Sequence, residues 1–206
     1  MNRTGLSIAS AGRIVSALSL TLVLLAGQAQ AGNALDATCA GKPDLPWNEQ
    51  VDACTKAIDA GRYAGKDLAK ALTFRAQALA QTGDLDRSLA DLEQVIRLDP
   101  DDAFAFGARG DLYLVKKDYP QALADYTKAT ALAPDNDLAF VGRGMVYLAT
   151  GELDRATAEF EQAIRLQPAS AAGLYWRGIA RRQKGEAAAG DADIAAAKKI
   201  DPGIDR

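Results

Sequence analysis

Four arginines recur at a fixed interval. The positions of Arg75, Arg109, Arg143 and Arg177 rise in steps of 34, and an acid stands 16 positions after each: Asp91, Asp125, Glu159 and Asp193. Such a row can do two kinds of chemistry. The guanidinium groups can grip an acidic ligand, or each can hold the carboxylate that recurs in step with it. An arginine on an otherwise buried helix needs a partner, because an unpaired buried charge is expensive. The matched recurrence of the acids favours structural pairs, within a unit or between neighbours.

Little else points to catalysis. The chain has no histidine, which removes the commonest general base and the commonest metal ligand. It has no P-loop, no nucleophile elbow and no metal-ligand cluster. The expectation is a non-enzyme with neither cofactor nor metal. The net charge of -3 is mild and no long basic run appears, so nucleic-acid binding has no electrostatic support.

Two cysteines, Cys39 and Cys54, lie beyond the N-terminal segment 1–31. That segment reads as a secretory signal peptide. Arg3 and Arg13 supply the positive start, Ile14 to Ala26 an apolar run, and Ala29-Gln30-Ala31 the small-x-small cleavage pattern. The run is short for a membrane span, and no later segment is apolar enough for one. Loss of Arg3 and Arg13 takes the net charge from -3 to -5. Export to an oxidising compartment, the periplasm or beyond, makes a Cys39–Cys54 disulfide the expectation for an even count. Their spacing is far from the C-x-x-C of redox-active pairs.

These residues must be positioned by helices. Pro100, Pro134, Pro168 and Pro202 rise in the same steps of 34. A fixed period of this order marks a stacked-repeat architecture. The residue before a proline is pushed out of helical geometry, so each proline ends a unit. Gly83, Gly151 and Gly185 mark an internal turn; Lys117 takes that place in the second unit, where a strained or differently shaped turn is expected. Each unit is thus helix A, turn, helix B. Helix A carries Leu72, Phe106, Phe140 or Leu174, then Ala76, Gly110, Gly144 or Gly178, then Leu79, Tyr113 or Tyr147, a series that Arg181 breaks. Helix B carries Ser88, Ala122, Ala156 or Gly190, then Leu92, Tyr126, Phe160 or Ile194, then Val95, Ala129, Ala163 or Ala197. Large residues face small ones, so the two helices can approach closely.

These positions resemble the tetratricopeptide repeat, a helix–turn–helix unit of about 34 residues closed by a proline. The resemblance covers four full units, 69–102, 103–136, 137–170 and 171–204, and a helix from Trp47 to about Gly61 as a half. Residues 32–68 read as a divergent capping half-repeat, since an array's end has no neighbour to cover its apolar face. The step from Thr55 to Arg75 is 20, whereas that from Thr127 to Arg143 is 16, so the first connection is longer by four. The resemblance implies an all-α, right-handed superhelix of antiparallel helix pairs, with a concave face lined by the A helices.

The face of helix A turned away from helix B is the candidate binding surface. It includes Thr73 and Gln77, then Phe104 and Asp111, then Leu138, Val141 and Met145, then Tyr175 and Ile179. The third unit's stripe is wholly apolar, which suits an extended or helical peptide. The competing reading is that part of this stripe packs against neighbouring A helices. The family's carboxylate-gripping cluster of Lys, Asn and Arg is not matched. The expected function is non-catalytic binding of a protein or peptide in the periplasm, as an adaptor in envelope assembly or secretion. The alternatives are an enzyme or small-molecule binder with an unrecognised pocket, and a self-associating structural protein.

Overall fold

The computed structural model describes Cys39 and residues 45–205. The signal segment 1–31 and most of the irregular stretch after it lie outside the described residues. Those described form helices and turns: α1 (Trp47–Asp59), α2 (Gly65–Thr82), α3 (Leu85–Leu98), α4 (Ala103–Val115), α5 (Tyr119–Leu132), α6 (Asp137–Thr150), α7 (Leu153–Leu166), α8 (Ala171–Gln183) and α9 (Ala187–Ile200). None is long and apolar enough to cross a membrane.

The helix boundaries have local causes. At the end of α2, Gly83 takes φ 86, and Asp84 N–H reaches back to the Leu79 carbonyl at 2.9 Å. Gly151 at φ 83 allows the same closure from Glu152 to Tyr147, at 2.8 Å. Both turns satisfy carbonyls that a helix end leaves over. Lys117 sits in the same left-handed region, at φ 61, and is the one non-glycine residue to do so among those described. The second unit thus keeps the turn shape and bears the steric cost of a Cβ there. The helices preceding Pro100, Pro134, Pro168 and Pro202 end shortly before each proline, at Leu98, Leu132, Leu166 and Ile200.

The long first connection is not a longer loop. Helix α2 has 18 residues where α4 has 13. It begins at Gly65, ahead of the repeat boundary read at 69, so an added turn of helix takes up the extra residues.

The described chain divides into two compact units. One holds Cys39, 45–114 and 120–134; the other holds 115–119 and 135–205. In the first, Leu72 and Ala76 of α2, Leu92 and Val95 of α3, and Ala105 and Leu112 of α4 form one buried cluster. Cys39 and Cys54 form a disulfide with Cα atoms 4.5 Å apart. They pack on Ala71 with Ile58, Tyr63 and Phe74 around them. In the second unit α6 packs on α7, α7 on α8, and α8 on α9. Its core includes Val146, Phe160, Ala163 and Ala197.

Close helix pairing depends on the small residues. A methyl carbon built on Gly144 would lie 2.5 Å from Phe160 Cε1. One built on Gly178 would lie 2.7 Å from the Gly190 carbonyl oxygen, and one on Gly110 would lie 3.2 Å from the Tyr126 ring.

Candidate functional site

Each repeat arginine is bonded to the acid of its own repeat. Arg75 Nε and Nη2 donate to Asp91 at 2.8 and 2.7 Å. Arg109 donates the same fork to Asp125 at 2.8 Å for both bonds. Arg177 does so to Asp193 at 2.8 and 2.7 Å. Arg143 donates through Nη2 to Glu159 at 2.9 Å. The helix pair brings these groups together because each arginine and its acid straddle one turn of an antiparallel hairpin. Bonding to the carboxylate drives the Arg75, Arg109 and Arg177 pKa values up, against the opposing effect of burial. Two of the arginines also lie over aromatic rings. Arg109 lies over Phe106 and Tyr113, and Arg143 over Phe140, at 5.4 to 5.9 Å from the ring centres. The first arginine also reaches α1, where Arg75 Nη1 donates to Thr55 Oγ1 at 3.4 Å.

The fourth repeat adds a link that the repeat pattern does not show. Arg181 Nη1 bonds Asp193 at 2.8 Å, so one acid serves two arginines. Arg181 also approaches Glu161 of α7 at 3.6 Å, and Lys184 meets Asp154 of the same helix at 2.8 Å. The one signal in the chain was Arg181 breaking the series Leu79, Tyr113, Tyr147.

The stripe on the A helices divides into two groups. Val141 is fully buried and Met145 is 6 % exposed. These two are packing positions rather than open ligand contacts. Helix α6 lies against α8, and side chains between successive A helices are spent on such contacts. Thr73, Gln77, Asp111, Leu138, Tyr175 and Ile179 are half-buried, and Phe104 is exposed. Thr73 Oγ1 donates to the Ala69 carbonyl at 2.9 Å. Tyr175 stacks edge-on against Trp176 at 5.4 Å.

Asp111 has an environment of its own. It accepts a short hydrogen bond from the Tyr126 hydroxyl of α5. Burial pushes its carboxyl up to about 6, and the bond from Tyr126 pulls the other way. Burial, with the Asp111 charge next, also raises the Tyr126 pKa.

An open cleft of about 440 Å³ lies on α1, lined by Glu49, Asp52, Lys56 and Arg62 over Ala53 and Ala57. None of the nine stripe residues lines it. No cluster of three metal-ligating side chains occurs among the described residues.

Family models described as tetratricopeptide repeat match residues 75–137 and 113–177. No curated protein matches the chain. Among solved structures, one titled crystal structure of MamA is 20% identical, with a TM-score of 0.63 over 76% of this chain and 89% of that one. MamA 41-end from Desulfovibrio magneticus RS-1 is 17% identical, with a TM-score of 0.63 over 95% and 98%. MamA MSR-1 C2 is 17% identical, with a TM-score of 0.59 over 93% and 97%. At these identities the likeness is one of fold. Period, helix pairing and matched models agree: the fold is the all-α tetratricopeptide-repeat fold, and the chain belongs to the tetratricopeptide-repeat family.

Proposed function

We propose that the chain is a non-catalytic scaffold that binds a protein or peptide partner on the exposed flank of its A helices. The observation that carries this reading is how the polar side chains are used. The repeat arginines and acids are bonded to one another, so the charged row serves the fold. Beside that row stand two sets of part-open A-helix residues, one in each compact unit: Thr73, Gln77, Phe104 and Asp111 in the first, Leu138, Tyr175 and Ile179 in the second. Mostly uncharged side chains, two of them aromatic, on paired helices suit peptide contact. The site of action is the periplasm or the cell exterior. The buried Cys39–Cys54 disulfide supports this, because such bonds persist in oxidising compartments. Within that compartment the reading is of an adaptor in envelope assembly or secretion.

The test is photocrosslinking in intact cells. A photoreactive residue at Gln77, Phe104 or Ile179 is expected to give a discrete adduct. The same residue at Arg97 or Arg165, on B helices, should give none. Equal adducts from both helix types, or none from the A helices, would refute the assignment. Protease treatment of intact and permeabilised cells checks the compartment. A chain cleaved only after the inner membrane is breached would overturn export.

A further inference from the structure

Helix α4 carries three features on one face. Phe104, Gly107 and Asp111 follow at three- and four-residue steps, which places them in line. Phe104 is 37% exposed. Gly107 is a helix-interior glycine that none of the described neighbours requires, since a methyl carbon built there would meet no heavy atom of the described residues within 4 Å. Gly110, one turn on, has an internal reason, because Tyr126 fills the space beside it. A glycine in mid-helix costs about 1 kcal/mol relative to alanine, so Gly107 marks a place where something outside the chain can come close to the backbone.

Asp111 ends this line, and its situation differs from that of the repeat acids. Asp125 on α5 is held by the Arg109 fork. Asp111 accepts from the neutral Tyr126 hydroxyl, and among the described residues no cation pairs with it. A half-buried carboxylate without a cation is charge-unbalanced, and a cation supplied from outside would stabilise it.

We infer that α4 receives a lysine or arginine side chain of the partner peptide, its aliphatic stem lying over Phe104 and Gly107 and its cationic head meeting Asp111. The step from Gly107 to Asp111 is about 6 Å along the helix, a length such a side chain spans. Apolar stem on ring and charge on charge is how long basic side chains are commonly held. This inference deepens the scaffold reading and rests on it.

The experiment uses the full chain and a phage-displayed library of random heptapeptides. Selection should enrich peptides with Lys or Arg at one fixed position. A synthetic copy of the best peptide should lose roughly tenfold or more in affinity against Asp111→Asn. It should lose as much against Gly107→Leu, which fills the open space without touching the core. Asparagine can still accept from Tyr126, and thermal melts of both variants establish that they fold. Selected peptides without a fixed basic residue, or with equal affinity for Asp111→Asn, would overturn the inference and leave the scaffold reading standing. A library that yields no binders would overturn both.

Discussion

Asp111 is the residue whose charge state the fold opposes most visibly. Its carboxyl holds a proton up to about pH 6 in the folded chain, against an ordinary value of 3.8. The folded state therefore binds more protons than the unfolded one between these values, and stability falls as pH rises through that window. Asp111→Asn should remove that part of the pH dependence and melt higher at neutral pH. A wild-type melting temperature that rises steadily from pH 4 to pH 7 would contradict this. The small residues give a graded test. Gly178→Ala meets a backbone oxygen and Gly110→Ala meets a ring edge, so the first should cost roughly 1–3 kcal/mol in urea denaturation and the second much less. Gly144→Leu, against Phe160, belongs with the first. The repeat pairs were legible because both partners recur at the same interval. The Asp111–Tyr126 bond was not, because the positions equivalent to Asp111 are Gln77, Met145 and Ile179, and no pattern singles out one acid among them.

At the scale of the element, the turns set the limits of each repeat. Lys117 adopts the backbone conformation of Gly83 and Gly151 with a side chain attached. Lys117→Gly should stabilise the chain by about 1 kcal/mol, less what glycine loses in unfolded-state entropy. Chemical denaturation checks it, and a destabilised variant would mean that the Lys117 side chain contributes more than its strain costs. Helix A and helix B boundaries could be read from glycine and proline spacing, because both act through local sterics. The start of α2 at Gly65 could not, since an extra turn of helix and a longer loop are equal in sequence length. The burial of Val141 and Met145 was left open, since the sequence allowed the stripe to be a groove or to pack against neighbouring A helices. Periodicity tells which side chains share a face, but what covers that face depends on how the next A helix is placed.

For the whole molecule, the fold class was legible from period alone, while the partner depends on side chains that do not repeat. The disulfide pins Cys39 to α1 and rests on Ala71 of α2. Cys39 and Cys54 lie fully buried, and Gln50 Nε2 donates to the Cys39 carbonyl at 3.4 Å. Cys39→Ser with Cys54→Ser should cost roughly 3 kcal/mol. Because repeats couple to near neighbours, hydrogen exchange should quicken first in α1 and the start of α2. Uniform quickening from α1 to α9 would show instead that the chain unfolds as one block.

The salt links of the fourth repeat bear on how such a chain can grow or shrink. A repeat whose arginine is neutralised by its own acid can be copied or deleted without stranding a charge. Repeat 171–204 is not of that kind, since Arg181 and Lys184 reach back to Glu161 and Asp154 on α7. Losing it would leave two acids of the preceding repeat without those cations, and a new copy added after it would inherit no such acids unless its predecessor supplied them. Duplication is open to a repeat that pairs its own charges, whereas repeat 171–204 carries links that tie it to the repeat before it.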